Sequence, residues 1–93
     1  MRLQPDQIEN IREVVLTRDP AARIFLFGSR VDDQQRGGDI DLLVLSQKLD
    51  AADRRKMKID LYRRIGHRKI DLLLAPDDRR AFVRLAMEEG VAL

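Results

Sequence analysis

Ile-Asp-Leu stands inside an otherwise apolar run at 40–42 and again at 70–72. A short apolar run between polar stretches reads as a buried strand. An ionised carboxylate in such a strand is costly unless it has a partner or an ion. The runs 39–46 and 69–75 therefore demand a sheet that brings carboxylates to a place where they are used or solvated. Asp39 lies two residues before Asp41, and strand residues at i and i+2 share a face. Their Cα atoms would be about 7 Å apart by strand rise. Oxygens at that spacing can converge on one metal ion or a close pair, and the like charges require a compensating cation. Mg²⁺ suits the site because it takes hard oxygen ligands and leaves room for substrate phosphates. Asp71 can face the same place if its strand lies beside that of Asp41. Two ions about 3.5–4 Å apart could then activate an attacking group and stabilise a leaving pyrophosphate. The competing reading makes these aspartates edge-strand gatekeepers against aggregation. Their repetition in apolar surroundings weighs for the metal.

Upstream stands Phe27-Gly28-Ser29-Arg30, with nine residues between Ser29 and Asp39. Glycine permits a turn and close backbone approach. Serine is a common helix N-cap, and a helix N-terminus is itself an anion site. A plain cap and a phosphate contact share the same physics here. Arg30 could touch a phosphate or be a solvated turn residue. Phosphate contacts beside clustered carboxylates are what metal-dependent phosphoryl or nucleotidyl transfer needs.

The rest of the chain alternates helix and strand. Ile8, Ile11, Val14 and Val15 recur at helical spacing over 5–18, and Asp19-Pro20 ends that helix. Residues 22–27 read as a buried strand. Ser29–Val31 could open a short helix before a polar loop over Asp32–Gly38. Asp50 or Asp53 caps a helix running to about Ile65 or Gly66, with Met57, Leu61 and Ile65 inward. Pro76 and Asp77 open a last helix with Phe82, Leu85, Ala86 and Glu89 on one side, and Gly90 stops it. The expected fold is a small α/β (α+β) domain over 1–93, with helices flanking a mixed sheet of three to four strands.

A single domain is the expectation for 93 residues. At about this size a domain buries only about 60–65% of its unfolded surface, so the core is thin unless a partner adds to it. Cysteine is absent, which rules out disulfides and thiolate metal sites and suits a reducing compartment. Met1–Asp6 lacks the apolar core of a secretory signal, and no run approaches the ~18 apolar residues of a membrane span. A cytoplasmic protein is the simplest expectation. Net charge is +2, too little to argue for nucleic acid. Arg54–Lys69 nonetheless holds eight Lys or Arg against one acid, Asp60. That run is either a solvated helix face or a dock for an acidic or phosphate-bearing partner. Neither a P-loop nor a Gly-x-Gly-x-x-Gly stretch is present, and a single histidine, His67, cannot build a multi-histidine metal site. His67 reads as a surface loop residue, and Tyr62 as helix packing.

Gly28-Ser29, Asp39-Ile40-Asp41 and Asp71 together resemble the minimal nucleotidyltransferase family of the polymerase-β-like superfamily. Its pattern is Gly-Ser, a short loop, Asp-x-Asp, then a third Asp on a later strand. Leu26–Arg30, Asp39–Val44 and Met87-Glu88-Glu89-Gly90-Val91 also resemble the family's usual flanks, so the resemblance covers nearly the whole chain. It implies a palm-like nucleotidyltransferase fold, with Gly28, Ser29 and Arg30 at the triphosphate of ATP. Asp39, Asp41 and Asp71 would hold two Mg²⁺ ions, and Asp71 would help deprotonate the acceptor hydroxyl. The family commonly acts as the antitoxin of a helical HEPN ribonuclease toxin, and some members silence it by transferring AMP to a tyrosine. The loop is at the short end of the family pattern, and Gly38 stands where many relatives have serine, which leaves nucleotide preference open. So short a chain is expected to receive its acceptor from another protein or from a second copy, as a hetero-oligomer or homodimer. The alternative is a non-catalytic module that masks its partner by docking. A nucleic-acid-binding domain using the basic helix is a distant third.

Overall fold

The computed structural model describes residues 3–27, 40–66 and 69–93. Gly28, Ser29, Arg30, Asp39 and His67, with the short helix and polar loop expected at 29–38, lie outside the described residues.

Helix α1 (Pro5–Arg18) starts with proline at its first turn, where a missing N–H costs nothing. The backbone N–H of Gln4 donates to Gln7 Oε1 at 2.8 Å. Strand β1 (Arg23–Phe27) is followed by β2 (Ile40–Leu45) and by helix α2 (Ala51–Ile65). Asp50, not Asp53, is the cap of α2. Its carboxylate accepts from the Asp53 backbone at 2.9 Å, while Asp53 accepts from the Asp50 backbone at 3.1 Å. That reciprocal pair is a capping box, and the backbone bond to Asp53 is the largest influence holding the Asp50 carboxyl below its usual pKa. Strand β3 (Ile70–Ala75), helix α3 (Ala81–Glu89) and strand β4 (Val91–Ala92) complete the chain.

The four strands lie in the order β3-β2-β1-β4. β1 is antiparallel to β2 and β4, and β2 is parallel to β3. The mixed sheet, flanked by helices, is the expected architecture. Strand alternation divides the apolar side chains cleanly. Ile24, Leu26, Ile40, Leu42, Val44, Ile70 and Leu72 pack with Ile11, Val14 and Val15 of α1 and Met57 and Leu61 of α2. Phe25, Leu43, Leu45 and Ala75 pack on the other face, with Val83 and Ala86 of α3. Two helices thus cover one face and one helix covers the other.

Three details depart from the sequence reading. The last helix begins at Ala81 rather than at Pro76 or Asp77, since 76–80 first turns the chain away from the end of β3. Its inward residues are Val83 and Ala86, whereas Phe82 and Leu85 are 57% and 49% exposed. Tyr62, expected to pack, is half exposed on α2.

The basic run is partly absorbed by the fold. Arg54 Nε donates to the Leu72 carbonyl at 3.0 Å, Arg64 pairs with Glu13 of α1 at 3.1 Å, and Asp60 pairs with Arg18 at 2.9 Å. Arg55, Lys56 and Arg63 remain exposed.

A buried polar pair locks the chain between α1 and β1 to the end of β2. Ser46 Oγ donates to Asp19 Oδ2 at 2.5 Å, and Asp19 Oδ1 accepts from the Ala21 backbone at 3.0 Å. Ser46 Oγ in turn accepts from the Lys48 and Leu49 backbones. The serine bond above all holds the Asp19 carboxyl below its usual pKa. A carboxyl that binds its proton more weakly when folded stabilises the fold above the unfolded pKa of about 4 and loses that contribution as pH falls through its native value. Urea midpoints between pH 7 and pH 3 should therefore fall more steeply for the wild type than for Asp19→Asn. Parallel slopes would show that the pair carries no linked proton.

Candidate active site

The sheet places Asp41 and Asp71 side by side. Both strands alternate, so Asp41 shares the α3 face with Leu43 and Leu45, and Asp71 shares it with Leu73 and Ala75. In the parallel β2–β3 ladder Asp41 is registered with Asp71, and in the antiparallel β1–β2 ladder Phe27 is registered with Asp41. One row thus crosses the sheet as Phe27, Asp41, Asp71. Neighbouring strands are about 4.8 Å apart, so the two carboxylates occupy adjacent positions with like charge, an arrangement that disfavours the fold without compensation.

Their burial differs, and the difference bears on the gatekeeper reading. β2 is a central strand and Asp41 is half-buried. A carboxylate there blocks no sheet edge. β3 is an edge strand and Asp71 is exposed, so edge protection remains open for Asp71 alone. Asp39, Gly28, Ser29 and Arg30 lie outside the described residues, and the meeting of the full set is not part of this geometry. Among the described residues, no group of three or more His, Cys, Asp or Glu forms a metal-binding cluster.

Two rings outside the expected site set, Phe27 and Phe82, stand beside the carboxylate row. Their ring centroids are 6.2 Å apart at 87°, an edge-to-face contact. A signal did exist. Phe82, Val83, Leu85, Ala86 and Met87 are more apolar residues than one face of a nine-residue helix can bury, so some had to stand outside the core.

A cavity of about 560 Å³ lies at the opposite end of the sheet, lined by Asp19, Arg23, Leu45, Ser46, Lys48 and Met87 among others. It is four residues, about 13 Å by strand rise, from the carboxylates. Asp19 is already bonded to Ser46 there, so that carboxylate is committed to the fold.

Three helices on the two faces of a four-stranded mixed sheet form an α+β fold consistent with that of a nucleotidyltransferase. The model of the family described as polymerase beta, nucleotidyltransferase, matches residues 9–93, and the chain belongs to that family. Its reaction class is nucleotidyl transfer. No curated protein matches the chain. Among the described residues, no helix is long and apolar enough to cross a membrane.

Proposed function

We propose that this chain transfers a nucleoside monophosphate, AMP from ATP, to a hydroxyl on a partner protein, and that the partner is a helical HEPN-type ribonuclease toxin silenced by the modification. The observation that carries the reading is the registration of Asp41 with Asp71 in a chain of the polymerase beta nucleotidyltransferase family. Hard oxygen donors on adjacent strands fit a divalent cation. Asp41 and Asp71, with Asp39, would hold Mg²⁺, which would supply charge neutralisation for the triphosphate.

The chain's own residues do the rest. The exposed Asp71 accepts the proton of the acceptor hydroxyl as its oxygen bonds to the α-phosphorus. The bond from that phosphorus to the bridging oxygen breaks, and pyrophosphate leaves. Gly28, Ser29 and Arg30 hold the triphosphate. Asp71 stands on the outermost strand, where a bulky protein acceptor has access.

The test uses the chain co-expressed with such a partner and ATP labelled at the α or the γ phosphate. Label appearing on the partner from α and not from γ, and lost in Asp41→Ala, is the expected result. Neutralisation of the partner by Asp41→Ala without any label would instead favour masking by docking.

A further inference from the structure

Phe82 is 57% exposed although Val83 and Ala86 on the same helix are buried. A phenyl ring left in water forgoes burial that a nearby apolar site would reward, so its position is informative. It does not stand alone, because it meets Phe27 edge-to-face at 6.2 Å. Phe27 is registered with Asp41, and Asp41 with Asp71. From Phe27 to Asp71 is two strand spacings, about 10 Å. The aromatic pair and the carboxylates thus form one continuous strip on the α3 face, apolar at one end and anionic at the other. A perpendicular pairing engages at most one face of each ring, which leaves Phe82 with π-surface to offer.

A nucleoside triphosphate has the complementary pattern: a flat apolar base at one end and, across the ribose, phosphates that accompany a metal. We infer that Phe82, seated on Phe27, is the platform on which the base of the donor nucleotide stacks. This inference rests on the nucleotidyl-transfer reading above. Stacking on one aromatic side chain tolerates any base, and the larger ring system of a purine covers more of it. Phe27 is the positioning residue: it sets the tilt of Phe82 and ties the platform to the strand that pairs with Asp41.

The experiment is calorimetric titration of the full chain with Mg²⁺-ATP and, separately, with Mg²⁺-tripolyphosphate, which has the phosphates and no base. Phe82→Ala should weaken Mg²⁺-ATP by about tenfold and leave tripolyphosphate unchanged. Phe82→Tyr should retain the affinity. Phe82→Leu keeps an apolar contact with Phe27 but no aromatic face, and should lose as much as Phe82→Ala. Equal losses for both ligands, or unchanged Mg²⁺-ATP affinity, overturn the platform. So does a Phe82→Ala chain that sediments differently and binds Mg²⁺-ATP normally, which would assign the ring to a protein contact. A wild-type chain that binds tripolyphosphate as tightly as ATP overturns the platform alone. One that binds neither overturns the nucleotidyl-transfer reading beneath it.

Discussion

Asp41→Ala and Asp71→Ala should each lower nucleotidyl transfer by about 10²–10³-fold or more, the scale on which removal of a preorganised electrostatic group acts. The reason is geometric. The two carboxylates are registered on adjacent parallel strands, so neither can be replaced by its neighbour without shifting the ladder by a full residue pair. The stability cost should be far smaller. Asp71 is exposed on an edge strand, and Asp71→Ala should leave the unfolding free energy within about 0.5 kcal/mol. Asp71→Asn keeps the shape and deletes the charge, which separates loss of a ligand and proton acceptor from loss of packing. Turnover and urea midpoints measured on the same preparations check both halves. Thermal stabilisation by Mg²⁺-ATP should fall with turnover, because a ligand stabilises only the state that binds it. Wild-type turnover in Asp71→Ala would sink the catalytic role of Asp71 and leave it as an edge gatekeeper. That variant should then aggregate during refolding.

Much of this arrangement was legible in the residues. Ile11, Val14 and Val15 announced α1, and the apolar runs around Asp41 and Asp71 announced β2 and β3, because apolar patterning is a local property. Register is not local. That Asp41 faces Asp71 follows from parallel pairing of β2 with β3, and no feature within either run specifies the offset between them. The strand β4 contains only Val91 and Ala92, too few for alternation to be recognised. It forms because the end of α3 returns the chain to the open edge of β1, where Leu93 N–H donates to the Ile24 carbonyl at 2.9 Å. The inward face of α3 is not a local property either. Phe82 and Leu85 fit a helical stripe as well as Val83 and Ala86 do, and only packing against Leu43, Leu45 and Ala75 decides between them.

Gly90→Ala should be the more destabilising of the two glycine-to-alanine changes among the described residues. Gly90 has φ −87° and ψ 179°, an extended backbone open to any residue, so conformation is not what demands glycine. Space is. A Cβ there would lie 2.6 Å from the Ala86 carbonyl oxygen, 2.7 Å from the Leu26 carbonyl oxygen and 3.3 Å from Phe27 Cβ. The two nearest atoms are backbone and cannot swing aside as a long side chain would. The Ala86 oxygen also accepts the Gly90 N–H at 2.9 Å, and Leu26 is registered with Val91. The methyl group must therefore lift the end of α3, the start of β4, or both, from β1. Overpacking of this kind costs about 1–3 kcal/mol, a large share of the 5–15 kcal/mol typical of a domain. Gly66 is the control with the opposite cause. Its φ is +107° and a Cβ there meets nothing within 4 Å, so Gly66→Ala pays backbone strain and no clash. The two variants should also differ in function. Displacing α3 shifts Phe82 against Phe27, the strand neighbour of Asp41, so Gly90→Ala should lose transfer activity even at temperatures where it is fully folded. Gly66→Ala, at the end of α2, should keep its activity at those temperatures. Wild-type urea midpoint and turnover in Gly90→Ala would mean that α3 has slack against β1, and that the row from Phe27 to Asp71 does not depend on how that helix is seated.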